Sequence, residues 1–304
     1  ISGPGCPVCV TQVGFIDEAI YLALERQVTI CTFGDLVRVP GTNMSLAGAR
    51  ERGAKIRIVY SPVDAKEYAK EHPKEQVTFL SVGFETTTPS ACLSVKKARE
   101  EGLTNYSILT ANKTMPQAYE ALKGSADIFL YPGHVNAITG TKLCEELAKE
   151  GVSGVVAGFT AKELLTALAV ALARFQEGRP FFVNCYPRVV TENGSPQAQK
   201  LVEEMMEPCD SEWRGLGVIK GSGMRLQEEW SAFDARKKYK IPLIQGKANP
   251  ACRCGDVLQG KCKPSDCKVF GKVCTPQHPV GACMVSGEGA CSAYYMYGEA
   301  EKMK

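Results

Sequence analysis

The feature that most constrains this chain is a crowd of thiols near its C-terminal end. Cys252, Cys254, Cys262, Cys267, Cys274, Cys283 and Cys291 are seven of the fourteen cysteines in 304 residues. A core would scatter its thiols among aliphatics, whereas this segment is punctuated by Gly and Pro and has no strong hydrophobic periodicity. Such a stretch holds a shape only with a cross-link or a metal. Three causes are available: disulfides, zinc, or an iron–sulfur cluster.

Disulfides fit worst. The cysteines at 31, 92, 144, 185 and 209 stand singly in apolar or helical contexts, as free buried thiols do, and no secretory signal is visible. Structural zinc usually takes two close pairs, and only Cys252-x-Cys254 is close-set here. Wide, uneven spacing suits a [4Fe-4S] cluster better, because its corners accept thiolates from separate loops.

Composition places the chain among ordinary soluble proteins, with 44% hydrophobic and 23% charged residues. A net charge of +3 is too small to argue for nucleic acid or a membrane surface. The most apolar stretch, 152–175, carries Lys162, Glu163 and Arg174, so it reads as a strand and a buried helix rather than a membrane span. Abundant cysteine without secretory features indicates a reducing cytoplasm.

The chain opens on Gly3-Pro4-Gly5-Cys6-Pro7-Val8-Cys9, followed by Val13, Phe15, Ile16, Ala19, Ile20, Ala23 and Leu24 at helical spacing. A C-x-x-C just before a helix reads as a redox pair whose thiolate the helix favours; half of a zinc site is the alternative. Strand and helix signals then alternate. Strands are predicted at 28–33, 55–60, 77–82, 107–110, 126–131, 154–157 and 180–186, with helices between them. The fold class is α/β, with two parallel-sheet α/β domains and a small cysteine-rich domain. Their expected ranges are 1–106, 107–206 and 207–304, the last beginning with an irregular connector over 207–250.

Ligands gather at the carboxyl ends of such strands. Glu85, Thr86 and Thr87 stand at one end, where capping of the next helix would also account for the threonines. His134 follows a strand end and a Pro132-Gly133 turn, and Arg188 follows another. Phosphate-loop, nucleophile-elbow and dinucleotide fingerprints are absent, so nucleotide hydrolysis and serine-esterase chemistry lose weight.

Gly3-Pro-Gly-Cys6-Pro-Val-Cys9, Gly83-Phe-Glu85-Thr-Thr87, Pro132-Gly-His134-Val and the cysteine string together resemble the HypD family of hydrogenase maturation proteins. The resemblance runs over the whole chain, in order. The family's cluster motif, C-x14-C-x6-C-x16-C, selects Cys252, Cys267, Cys274 and Cys291 as ligands and sets Cys254, Cys262 and Cys283 aside. The resemblance implies a scaffold that builds the Fe(CN)2CO group of [NiFe]-hydrogenases together with HypC, with HypE supplying cyanide and HypF acting indirectly. It implies electron exchange between Cys6, Cys9 and the cluster. It also implies a further iron-binding cysteine upstream, in a Cys-Gly-x-His motif. The sequence starts at Ile1, past that point, so the expectation is a chain that folds and keeps its cluster without completing the scaffold reaction.

Residue type and position suggest proton handling or cyanide steering by His134 and Glu288, and an anion clamp by Arg188. A second reading makes the chain a stand-alone thiol–disulfide reductase that uses the same cluster and the same dithiol.

Overall fold

The computed structural model describes residues 3–298; the outermost parts of the first and third expected domains, 1–2 and 299–304, lie outside the described residues. Its first sheet holds β1 (Thr29–Thr32), β2 (Ile56–Ile58), β3 (Val77–Ser81) and β4 (Tyr106–Thr110), all parallel, in the order β2-β1-β3-β4. β1, β3 and β4 are buried on both faces along their whole length, with only Thr and Ser among their apolar residues. Alternate residues serve opposite layers. Ile30, Leu80 and Leu109 pack on Phe15, Ile16, Ala19 and Leu22 of the helix Val13–Glu25. Cys31, Phe79 and Ile108 pack on Ala65, Ala69, Cys92 and Val95 of the helices Pro62–Glu71 and Thr88–Glu100.

The second sheet is smaller: β5 (Phe129–Pro132), β6 (Gly154–Ala157) and β7 (Phe182–Asn184), parallel and in chain order. Val155 and Ala157 face Ala167 and Ala171 of the helix Ala161–Phe175. Tyr131 and Val156 face the centre of the molecule. No helix among the described residues is long and apolar enough to cross a membrane.

Two expectations about organisation are corrected. A boundary at 106/107 would cut through β4, whose Tyr106 to Thr110 pair with Val77 to Ser81; the crossover to the second sheet comes after Lys113. The helix Pro196–Met205, expected in the second domain, lays Leu201, Val202 and Met205 against the first. The connector is also more regular than its composition suggests. It forms an antiparallel hairpin of β8 (Met206–Trp213) and β9 (Gly217–Leu226).

This hairpin is a wedge. Near its tip, Trp213 is fully buried, donates Nε1–H to Ser222 Oγ at 2.7 Å and stacks on Phe84. Lys113, reaching in from the end of the first domain, donates to Ser211 Oγ, the Glu212 carbonyl and Gln12 Oε1. Burial pushes this lysine down to about 7, and the three acceptors match the three donors of its ammonium form. Gly215, at φ +80°, lies against the backbone of Gly255 in the cysteine segment.

A Cβ on Gly255 would meet Gly215 Cα at 2.7 Å, and one on Gly215 would fall on Gly255 in turn. The Gly215→Ala variant should therefore separate the hairpin tip from the cysteine segment, with positive-φ strain added. We expect a loss of about 1–3 kcal/mol in urea unfolding; an unchanged midpoint would show that this contact carries no stability.

Candidate functional site

The C-x-x-C and the C-terminal cysteines, distant in sequence, meet at the centre of the molecule. Pro7–Val10 forms its own short helical turn with Cys6 at its N-cap, and the helix Val13–Glu25 follows. Pro7 favours that start, since its fixed φ suits the first turn and its missing N–H would be unpaired anyway. The turn brings the Cys9 thiol to the Ala282 carbonyl at 3.9 Å. Cys6 is 3% exposed and Cys9 is fully buried.

From there the thiols run in series. Cys9 neighbours Cys6 on one side and Cys283 on the other. Cys283 is fully buried and neighbours Cys254. The Cys252 thiol donates to Cys254 Sγ at 3.2 Å. Cys252, Cys254, Cys267, Cys274 and Cys291 then surround one small cavity closed by Val257, Val269, Phe270 and Met284. Gly281 permits this closeness, because a Cβ there would stand 2.5 Å from both Cys252 Sγ and Cys254 Sγ. Cys262 does not line the cavity and is half-buried away from it.

Thiolate character alternates along the series. A hydrogen bond from the Cys9 thiol lowers Cys6 against the opposing cost of burial, with Ser286 adding a second bond. The sequence pattern credits the following helix with this shift; the neighbouring thiol is the larger cause. Cys9 accepts from Cys283, which lowers it, but its bond to Cys6 and its burial outweigh that, and it is held protonated. Cys254 is lowered by donation from Cys252 and Cys283. Cys283 is raised, first by its bond to Cys254. The thiols are thus split: Cys6 and Cys254 are lowered, Cys9 and Cys283 raised.

The other residues singled out in the sequence divide. Glu288 is exposed but close enough to Cys6 for its charge to oppose the Cys6 thiolate. His134 is exposed and stacks on Phe159, with ring centroids 3.8 Å apart. Arg188 does not present a free fork: its Nε and Nη2 both donate to Glu163 Oε1, at 3.0 and 2.8 Å. Thr86 is exposed. Thr87 and Thr88 turn their hydroxyls back to the Phe84 carbonyl, so Thr87 occupies the cap position without capping.

Glu85 is buried. One carboxylate oxygen accepts from Met115 N at 2.9 Å, and the other has no partner among the described residues. The Tyr119 hydroxyl is likewise unpartnered. Burial pushes Glu85 up to about 7. The sequence missed Cys254 and Cys283 as parts of the site, and it missed Arg214, a buried guanidinium beside them. Thiol count alone cannot rank neighbours.

Among the described residues, no three His, Cys, Asp or Glu side chains converge as a single metal ion requires. A cubane asks for another arrangement: one thiolate per iron, from separate loops around a common body. An all-thiol ring around one cavity fits that donor set.

Similarity to known proteins covers the same residues. The family described as HypD, hydrogenase formation hypA family, matches 1–298. A hydrogenase maturation factor HypD of Cupriavidus necator is 41% identical over 98% of this chain and 82% of its own length. One from Rhizobium leguminosarum bv. viciae is 43% identical over 98% and 81%. One from Escherichia coli is 41% identical over 99% and 82%.

Glu85 generates a pH test. Its folded pKa is raised above the unfolded value, so the protonated form favours the folded chain. That contribution is fully present below about 4.5 and is lost as pH rises through about 7. Relative to Glu85→Gln, the wild type should lose on the order of 3 kcal/mol between those limits. Urea unfolding of both proteins across the range checks this; parallel curves would place a charged Glu85 in the fold.

Proposed function

Because the chain belongs to the hydrogenase formation family HypD, we infer that it acts as a metallocentre scaffold that assembles the Fe(CN)2CO group of [NiFe]-hydrogenases. The observation that carries this reading is the unbroken series of thiols from Cys6 to the five-cysteine cavity. Scaffolding iron with strong-field ligands calls for soft donors and control of electron count, and a run of buried thiols ending in a cluster pocket suits both needs.

Cys252, Cys267, Cys274 and Cys291 would hold a [4Fe-4S] cluster. When bound, such a cluster supplies or accepts one electron at a time. Five thiols line the cavity and four irons need four, so one is left over. Cys254 is the one the C-x14-C-x6-C-x16-C pattern sets aside; it and Cys291 both neighbour Cys283 on the way to Cys9. Cys6 and Cys9 would form the redox-active dithiol: closing their disulfide releases two electrons and two protons, and opening it takes them up. Glu288 stands where it can move a proton at Cys6. The donor arrangement speaks for the cluster over a single zinc ion.

HypC and HypE are the partners this reading requires, and the cytoplasm is the compartment that suits free thiols. Glu85, with an unpaired buried oxygen, is the best-placed carboxyl of the strand ends. His134, Thr86 and Thr87 remain candidates for partner contact, while Arg188 is committed to Glu163.

Anaerobically purified protein should be brown and contain about four irons and four sulfides per chain. Alanine at Cys252, Cys267, Cys274 or Cys291 should bleach it. Alanine at Cys262 should leave the colour unchanged, and alanine at Cys254 should keep the colour while slowing reduction of the Cys6–Cys9 disulfide by a photoreduced cluster. Stoichiometric zinc without sulfide after anaerobic reconstitution would sink the assignment. Infrared bands in the cyanide and carbonyl stretching regions, in protein co-expressed with HypC and HypE, separate the scaffold from a stand-alone reductase.

A further inference from the structure

Arg214 sits at the tip of the β8–β9 hairpin, in the gap between the C-x-x-C turn and the cysteine segment. Its position is fixed from both sides. Its N–H donates to the Val10 carbonyl and its Nε to the Thr11 carbonyl, each at 2.8 Å, directly after Cys9 in sequence. Nη2 donates to the Pro40 carbonyl at 3.2 Å. The next residue, Gly215, lies on Gly255, adjacent to Cys254, and its carbonyl accepts from Gln259.

The guanidinium is therefore held between Cys9 and Cys254, and it is 8% exposed. Its side-chain partners are neutral carbonyls. Among the described residues no carboxylate is in ion-pair range of it, whereas the other buried cations are matched: Lys66 has Glu101 and Lys113 has its three acceptors, as the half-buried Arg236 has Glu18. An uncompensated buried charge is costly. The groups around it that can become negative are sulfurs: those of Cys254, Cys252, Cys283 and Cys9 bear on it electrostatically, and no acid outranks them.

We propose that Arg214 is the built-in counter-charge of the thiol series, a positioning residue that stabilises its electron-rich form. This rests on the dithiol reading above. Arginine suits the role because it stays charged when buried and its fork can be anchored to backbone while its charge faces the sulfurs. In the disulfide form the Cys6 and Cys9 sulfurs carry no charge for the cation to meet. Reduction by a dithiol breaks the Cys6–Cys9 bond, leaves one thiolate and one thiol, closes the reductant's own disulfide and releases one proton. The thiolate produced on the Cys6–Cys9 pair gives Arg214 a partner beside the Val10 and Thr11 carbonyls that hold it. Arg214 thus shifts the couple toward the reduced side.

The test is the Cys6–Cys9 equilibrium in anaerobic dithiothreitol buffers, read by thiol trapping and peptide mapping on the cluster-loaded protein. Wild type is compared with Arg214→Gln, which keeps hydrogen-bond donors, Arg214→Met, which keeps the apolar stem, and Arg214→Lys, which keeps the charge. Both uncharged variants should favour the disulfide by about tenfold, a potential lower by about 30 mV for a two-electron couple, and Arg214→Lys should restore most of the difference. Equal potentials in all four proteins would overturn the proposal and leave Arg214 balanced by a solvent anion from the open cavity it lines with Pro40 and Asn249. A shift shared equally by Lys, Gln and Met would overturn it too, because it would reflect lost backbone anchoring rather than lost charge. If Gln does not fold, Met and Lys still decide the point. Absence of any Cys6–Cys9 disulfide in the wild type would remove the dithiol reading and this proposal with it.

Discussion

The structure depends on one meeting of distant chain. Cys9 touches the Ala282 carbonyl across 273 residues of sequence. The cysteine segment is assembled from short turns and small helices, and it buries no independent apolar core. Its buried residues, Cys254, Val257, Leu258, Cys283 and Met284, join a central cluster with Cys9, Val10, Phe84, Met115 and Trp213. Ala282 and Val285 go to the first domain's core instead. Packing of this order, at about 25 cal/mol per Å2 of apolar surface removed from water, ties the site's geometry to the fold. The thiols are in contact because the domains are.

The hairpin explains how two sheet domains and a small cysteine unit share one centre. β8 and β9 leave the helix that packs on the first domain, pass Lys113 at the domain crossover and end on Gly255. Every buried ionisable group near the centre is tied to this passage or to the strand ends around it. Lys113 is satisfied by three acceptors. Glu85 has one oxygen satisfied and is driven toward its neutral form. Arg214 is satisfied by carbonyls in hydrogen bonding but not in charge. Such differences follow from desolvation, which neutralises a group unless a partner holds its charge.

What the sequence made legible followed physical signal strength. The parallel strands were visible because burial on both faces forces uncharged runs, apolar but for Thr and Ser, such as Val77–Ser81 and Tyr106–Thr110. The hairpin was not, since its strands alternate partly buried and exposed positions filled by Glu207, Asp210 and Lys220, a pattern that reads as loop. The domain boundary failed because β4 pairs with a strand 29 residues earlier, as Val77 does with Tyr106, and pairing leaves no mark in composition. At the site, thiol density announced a place where cysteines converge. Which thiols stand in series could not be read, because Cys254 and Cys283 differ from Cys262 only in where the chain folds them.

Burial of the dithiol gives the arrangement its logic. Thiol–disulfide exchange needs access for the attacking sulfur, and Cys6 at 3% exposure with Cys9 fully enclosed offers little of it. Solvent thiols therefore have little access to either sulfur, and the neighbours that touch them are internal. Those neighbours are Cys283, Cys254 and one uncompensated positive charge. A surface C-x-x-C would meet whatever thiol pool surrounds it, whereas this one is enclosed beside Cys283. That burial is a property of the fold that no local motif contains.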